Sequence, residues 1–371
     1  MNEEACLQIS ADQPDAADRA AAVLRSGRLV GLPMETVYGI AATVNLPDAI
    51  KKLKAAVGVS GHPSWVLHLA DPQDLKQYVA QIPPLAGRLI NKLWPGPVAV
   101  RLHAEAADVT NLQKRVGEKI AGELLEKDFL SFRCPQHALT QEIIRRTNSP
   151  VVIYGASKTR LITTATEIPR EVMDHLALVI DGGPTRYGRA STLIQVDEKG
   201  VKVLREGVVA ERTIRRLADF VILFICTGNT CRSPMAVGLA ANILAKKLGI
   251  DPDDLHRRHI VIESAGLAAS HGLSASPEAV QAAMELGADI SRHRSRSVTE
   301  DLLRRADVIY TMTRAHRAGV VAHSPEASDK AQVLDPQGDI ADPIGGGIDL
   351  YRNVAERINE VLRQRMSEVN P

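Results

Sequence analysis

Apolar and polar positions along the chain fall into two separate series of strand-like and helix-like periods. The first series ends near Val203-Leu204-Arg205-Glu206-Gly207, and a new apolar run opens at Phe220-Val221-Ile222-Leu223-Phe224-Ile225. Between them, the charged stretch from Val208 to Asp219 reads as a linker, helical or irregular. The expected organisation is therefore a domain over 1–207, a linker over 208–219 and a second domain over 220–371. No sequence repeat relates the halves. In the second half the pattern predicts a strand over Phe220–Ile225 and a helix from about Pro234 to Leu248, with Ser233 as its cap and Pro234 in its first turn. A short strand follows at Val261–Glu263, then a helix over Pro277–Leu286 capped by Ser276. Ser297-Val298-Thr299-Glu300 has the spacing of a capping box for another helix. Strands are predicted at Asp307–Thr311 and Gln332–Leu334, and a closing helix over Asp349–Glu368. Strands alternating with helices give a doubly wound α/β fold, a parallel sheet covered on both faces. Ligands of such sheets sit beyond the strand C-termini, and the loop after Ile225 occupies that position.

Composition narrows this picture. The chain has 371 residues, 45% of them hydrophobic and only 3% aromatic, so two cores built from Ala, Val, Leu and Ile are expected. Lys plus Arg (45) nearly cancels Asp plus Glu (44), which argues against an extensive nucleic-acid footprint. No run is apolar for long enough to span a bilayer, and no start resembles a secretion signal, so the expected location is the cytoplasm. The four cysteines, Cys6, Cys134, Cys226 and Cys231, are too few for a disulfide framework in a chain of this length. Cys226 and Cys231 share one loop, which points to reactive chemistry.

That loop reads Cys226-Thr227-Gly228-Asn229-Thr230-Cys231-Arg232-Ser233-Pro234. A cysteine and an arginine five residues apart can wrap one tetrahedral anion. Backbone N–H groups line the cradle, Gly228 permits tight curvature, and the next helix directs its positive end inward. The arginine fork can hold two phosphoryl oxygens. The same positive field favours a cysteine thiolate, set up for in-line attack on phosphorus and a phosphocysteine intermediate.

The nine-residue loop resembles the signature of low-molecular-weight protein phosphatases. Glu263-Ser264-Ala265-Gly266 is similar to the family's loop-supporting serine element, and Asp339 to Asp349, with Asp342-Pro343 and the glycine run, to the segment bearing its general acid. The resemblance implies Cys226 as nucleophile, Arg232 as phosphoryl ligand and Asp342 as acid, with Asp335-Pro336 as a rival pair. It implies a phosphoryl cradle of Thr227, Gly228, Asn229, Thr230, Cys231 and Ser233, supported by Ser264, with Cys231 also a candidate disulfide partner under oxidation. It requires no cofactor or metal for this half, whose partners would be phosphorylated proteins. Where Thr230 stands, tyrosine phosphatases carry a branched apolar residue, and where Ile344 stands, an aromatic one. The pattern is most similar to the protein-arginine-phosphatase branch, since a threonine hydroxyl can hydrogen-bond a guanidinium N–H. Phosphotyrosine is the alternative substrate. Arsenate reduction on the same fold is a third reading, disfavoured because no cysteine follows Cys231.

From Ala16 to Gly207 the chain resembles threonylcarbamoyl-AMP synthases of the YrdC and Sua5 type, twisted α/β-sheet domains with a positively charged cavity. These join ATP, threonine and bicarbonate to begin modification of a tRNA adenosine. The likeness is carried by Gly31 to Ile40, Leu93-Trp94-Pro95-Gly96-Pro97-Val98, Phe132-Arg133-Cys134-Pro135, Asp181-Gly182-Gly183-Pro184, Gly188 to Leu193, and Leu204 to Gly207. It implies Glu35, Thr36, Tyr38, Lys54, Arg133, Ser191 and Thr192 as candidates for nucleotide and threonine binding, with ATP and Mg²⁺ as cofactors and RNA as a partner. Three departures fall on that chemistry: Lys54-Ala55-Ala56 replaces a Lys-x-Arg motif, Gly155-Ala156-Ser157 replaces Ser-Ala-Asn, and Met34 follows Pro33 where threonine is usual. The expectation is a binding module fused to a phosphatase; a bifunctional enzyme with a working synthase is the alternative. The run Arg292 to Arg296 reads as a solvated face or a docking patch.

Overall fold

The computed structural model describes residues 6–61, 63–197 and 200–369, so the extreme ends of both expected domains lie outside the described residues. The chain divides into two compact units, with the division between Ala218 and Asp219.

The first unit is built on ten strands: β1 (Leu7–Ser10), β2 (Leu29–Leu32), β3 (Gly39–Thr43), β4 (Val66–His68), β5 (Val98–His103), β6 (Phe129–Arg133), β7 (Val151–Gly155), β8 (Leu176–Asp181), β9 (Thr192–Asp197) and β10 (Gly200–Arg205). They form one mixed sheet in the order β1-β8-β2-β3-β7-β4-β6-β5-β9-β10. Its core is mostly aliphatic, with a few aromatic rings such as Tyr38 and Phe132: the helix Ala16–Arg25 buries four alanines and Leu24. The segment expected to be a linker contains the helix Glu211–Ala218, which belongs to this unit. Ile214 and Ala218 are buried in its core, and the Arg88 guanidinium donates to the Ala218 carbonyl. The apolar spacing Ile214, Leu217, Ala218 inside a charged stretch makes one buried stripe, which the high overall charge conceals.

The second unit has four parallel strands, β11 (Phe220–Cys226), β12 (Ile260–Gly266), β13 (Val308–Thr311) and β14 (Ala331–Val333), in the order β12-β11-β13-β14. All seven residues of β11 are buried, as a central strand covered on both faces demands. Its pleat divides them. Phe220, Ile222, Phe224 and Cys226 enter one core with the helices Arg232–Leu248, Pro277–Glu285 and Ile348–Glu368. Val221, Leu223 and Ile225 enter another with the helix Glu300–Arg305 and Val320 of the helix Arg314–His323. The chain leaves β11 toward β12 on one side and reaches β13 on the other. The C-terminal end of β11 is thus a topological switch point, and Cys226 stands there.

Two cap assignments are corrected. The first helix after β11 begins at Arg232 with Cys231 at its N-cap, so Ser233 lies inside the first turn and does not cap. Its hydroxyl is taken by the loop instead. At the later helix, Thr299 is the cap, accepting from the Leu302 N–H, while Ser297 donates to the Ala269 carbonyl. Ser276 caps its helix by accepting from the Ala279 N–H.

Candidate functional site

The loop after β11 closes on the Cys226 sulfur. The Asn229 N–H donates to Sγ at 3.2 Å, and Ser233 Oγ lies 2.9 Å away. Ser233 Oγ also accepts from Asn229 Nδ2 at 2.9 Å, which leaves its own hydrogen to point at the sulfur. Two donors thus converge on Sγ. Asn229 is the keystone. It is fully buried with φ 56°, a conformation uncommon for a side-chain-bearing residue. Its side chain holds it there: Nδ2 donates to Ser264 Oγ at 2.9 Å, and Oδ1 accepts from the Arg296 N–H at 3.0 Å. Its carbonyl is 2.7 Å from His293 Nε2.

Gly266, at the end of β12, lets the loop approach the sheet. A Cβ there would lie 2.3 Å from the Thr227 carbonyl oxygen, so no side chain fits. The amides of Leu267 and Ala268 then bind the Cys226 and Thr227 carbonyls at 3.0 Å each, turning those oxygens away from the anion cradle.

Arg232 is 4% exposed and brought to the loop mouth. Its guanidinium donates to the Ile340 carbonyl at 3.2 Å, to Thr227 Oγ1 at 3.5 Å and to the Asp342 carboxylate. Asp342 is half-exposed and on the segment that Ile340 anchors. The rival Asp335 is buried and bound by Arg357 at 2.7 Å, a structural pair. Ile344, 72% exposed, stands two residues beyond Asp342. Thr230 is half-buried, with its carbonyl fixed by the Ser276 amide at 2.9 Å. Cys231 is a buried free thiol with the Tyr351 hydroxyl 3.4 Å and Ser276 Oγ 3.5 Å from its sulfur.

Three supports were not legible as such. His293 and Arg296 belong to the run read as a solvated face or docking patch, yet they brace Asn229, and Arg296 also donates to the Ser264 carbonyl. His316, from the helix Arg314–His323, reaches Thr227 Oγ1 at 2.9 Å. Burial, then the Arg232 charge, holds its ring below the ordinary histidine value.

The first unit has a separate cavity of about 460 Å³. Thr36, Tyr38, Arg133 and Ser191 line it, with Gly155-Ala156-Ser157. Lys54 does not; it is paired with Glu123. Thr192 is scaffold: its hydroxyl donates to the Val209 carbonyl and accepts the Gly207 and Val209 amides. Tyr38 ties two segments together, donating to the Gly183 carbonyl at 2.8 Å and accepting from the Gly182 amide. Arg133 is 2% exposed and engaged by Glu35 at 2.7 Å and by Thr36 Oγ1 at 3.1 Å. Glu35 is thereby a partner of the arginine and does not line the cavity.

The cations overlooked in the sequence are Lys158, Arg160 and Arg205. Among the described residues no carboxylate lines the cavity, and none of these three forms an ion pair. Lys158 and Arg160 reach backbone carbonyls, and Arg205 binds Ser191. Burial, then the nearby Arg133 charge, pushes Arg205 below its ordinary value. The neighbouring His68 ring falls to about 3 through burial and Arg133, so it stays neutral. This donor set fits an anion, including the phosphates of a nucleotide. Lys158 and Arg160 directly follow β7, the signal available in the sequence.

Comparison with known proteins gives two non-overlapping matches. Residues 22–207 match the family Sua5_yciO_yrdC, described as "Telomere recombination", and residues 221–371 match "Low molecular weight phosphotyrosine protein phosphatase". The protein-arginine-phosphatase of Bacillus subtilis is 36% identical over 148 residues, which are 38% of this chain and 92% of that one. The threonylcarbamoyl-AMP synthase of the same species is 29% identical over 209 residues. That match covers 56% of this chain and 57% of the synthase, so the chain spans little more than half of that relative. The crystal structure of Pyrococcus abyssi Sua5 complexed with L-threonine superposes with a TM-score of 0.51 at 20% identity, covering 71% of this chain and 92% of that one, a likeness of fold.

Proposed function

Because the chain belongs to the Sua5_yciO_yrdC family through residues 22–207 and to the low molecular weight phosphotyrosine protein phosphatase family through residues 221–371, we propose that it is a cysteine-dependent protein phosphatase fused to an anion-binding, synthase-like module. One observation carries the first part: Cys226 Sγ receives two donors at a helix N-terminus beside the buried Arg232. The nucleophilic form of cysteine is the thiolate, and donors aimed at sulfur suit it.

In this reading the phosphoryl group rests in the cradle formed by residues 227–231, with two oxygens on the Arg232 fork. Cys226 attacks phosphorus in line, and the bond to the leaving group breaks as the phosphocysteine forms. Asp342 gives its proton to the leaving atom, then takes one from the water that cleaves the phosphocysteine. Phosphoryl oxygens compete with Asp342 for Arg232, so substrate binding frees the carboxyl for the leaving group. No metal or cofactor enters this scheme.

The substrate is phosphoarginine on proteins. The similarity to the Bacillus subtilis protein-arginine-phosphatase supports this, as do the hydroxyl of Thr230 on the cradle and the absence of a ring at the exposed Ile344. Thr230→Ile is expected to lower kcat/KM for a phosphoarginine peptide relative to a phosphotyrosine peptide by about ten- to a hundredfold, the worth of one hydrogen bond to a charged group. An unmoved ratio, or a wild type that already prefers phosphotyrosine, rejects the arginine assignment and retains the phosphatase.

The first unit binds nucleotide phosphates through Lys158, Arg160 and Arg205, with Ser157 and Ser191 as further donors. Among the described residues no carboxylate lines the cavity, so Mg²⁺ would enter with the nucleotide and would serve to screen its phosphate charge. ATP is the expected ligand, and threonine and RNA are further partners on the pattern of the synthase relatives. Synthesis of threonylcarbamoyl-AMP is expected to be weak or absent: Arg133 is committed to Glu35, and Lys54 to Glu123. Calorimetry with ATP and pyrophosphate release with threonine and bicarbonate test this. Binding with little release fits a binding module, whereas turnover at the level of the Bacillus subtilis synthase establishes a bifunctional enzyme. Among the described residues no helix is long and apolar enough to cross a membrane, and we place the protein in the cytoplasm on the reducing chemistry its thiols require.

A further inference from the structure

Thr227 directly follows the nucleophile, and its exposed side chain stands at the rim of the cradle. Its Oγ1 is 2.9 Å from Nε2 of the buried His316 and 3.5 Å from a guanidinium nitrogen of Arg232. The contacts behind the histidine favour one assignment of the hydrogens. Thr313 caps the helix Arg314–His323, its Oγ1 accepting the His316 backbone N–H at 3.1 Å. The same oxygen is 2.9 Å from His316 Nδ1. Having accepted the amide, Thr313 has one hydroxyl hydrogen to give, and Nδ1 is placed to take it. Nδ1 as acceptor puts the ring hydrogen on Nε2. The charges that bear on the ring are Arg232, Asp342 and Asp339, and with burial they leave it neutral, carrying one ring hydrogen.

His316 Nε2–H therefore donates to Thr227 Oγ1, and so does Arg232. With two donors on its oxygen, the Thr227 hydroxyl retains only its hydrogen to offer. We infer that Thr227, oriented by Thr313 and His316, donates a hydrogen bond to an oxygen of the bound phosphoryl group; this rests on the phosphatase reading of the loop. A guanidinium leaving group presents mainly N–H donors, to which a hydroxyl with a filled oxygen has nothing to give. The phosphoryl oxygens carry the negative charge and are common to every substrate. Thr227 is thus a ligand of the phosphoryl group, distinct from Thr230 beside the leaving group, and His316 is its positioning residue.

The test uses the full-length protein, with inorganic phosphate as the probe, titrated calorimetrically and as a competitive inhibitor. Thr227→Val is expected to weaken phosphate about tenfold and to raise KM for phosphoarginine and phosphotyrosine peptides by the same factor, the loss of one charge-assisted hydrogen bond. Thr227→Ser keeps the hydroxyl and should bind phosphate several-fold more tightly than Thr227→Val. His316→Ala should weaken phosphate in the wild-type background yet add less than about twofold to Thr227→Val, since it acts through that hydroxyl. His316→Gln, with an amide donor in place of the ring, should recover part of the loss. The inference is overturned if Thr227→Val leaves phosphate affinity unchanged, if the serine variant loses as much as the valine one, if the loss is confined to one substrate, or if the two losses add fully. A wild type inactive on both peptides defeats the phosphatase reading separately, while the phosphate titration still decides the role of Thr227.

Discussion

Replacing Cys226 with serine is expected to lower hydrolysis of every phosphorylated substrate by at least about 10⁴-fold, on the scale seen when an enzyme loses its nucleophile. The reason is chemical. A hydroxyl in the place of the sulfur stays protonated under the same donors, and no base within the loop stands ready to activate it. The Cys226 side chain contacts Asn229 N–H and Ser233 Oγ, groups a serine hydroxyl can also meet, so the cradle should survive the change. Binding of inorganic phosphate or vanadate should therefore persist, because it depends on backbone amides and on Arg232. Turnover measured beside phosphate binding separates the two effects. Retained turnover excludes the covalent mechanism, and lost phosphate binding would mean that the loop itself had collapsed.

Asp342→Asn should cost roughly 10²- to 10³-fold on substrates with poor leaving groups and far less on an activated aryl phosphate. An amide cannot deliver a proton, and an activated leaving group hardly needs one. The side chain is half-exposed and, among the described residues, held through Arg232 and the Ile344 amide, as suits a group that must change partners during turnover. Asp335→Asn provides the contrast. That carboxylate is buried against Arg357, so its loss should lower the melting temperature without creating any dependence on the leaving group. Equal losses on good and poor leaving groups for Asp342→Asn would assign it a structural role.

Much of the second unit was legible because its signals are local. An unbroken apolar strand, a glycine-containing loop and a helix start lie consecutively in the chain, and strand–helix alternation implies the parallel sheet around them. The errors were local too. Ser233 has the composition of a cap, but its hydroxyl is worth more to the loop, where it links Asn229 to Cys226. Ser297 and Thr299 both offer hydroxyls two residues apart, and only the backbone path decides between them. The residues that could not be read from spacing are those that long-range folding delivers. His293, Arg296 and His316 lie 64, 67 and 89 residues from the loop groups they bind.

In the first unit the fold was legible from Trp-Pro-Gly-Pro and glycine elements, whereas the cavity was not. Which cations it offers to a ligand depends on which are already paired. Arg133 lines the cavity but is bound by Glu35, and Lys54 is bound by Glu123 and does not line it, while Lys158, Arg160 and Arg205 look incidental in the sequence and line it without a carboxylate partner among the described residues. Charge pairing across 98 and 69 residues leaves no local trace.

The central claim, a phosphocysteine at Cys226, is tested most directly by acid-quenching the protein during turnover of a phosphoarginine peptide and mapping the phosphoryl group by mass spectrometry. Asp342→Asn turning over an activated aryl phosphate is the better pairing for trapping, since forming the phosphocysteine then needs little acid while slow activation of water lets the intermediate accumulate. The expected result is one phosphate on the peptide containing Cys226, absent from Cys226→Ala treated alike. Phosphate mapped to any other residue, or steady turnover with none on the protein at any quench time, would contradict it.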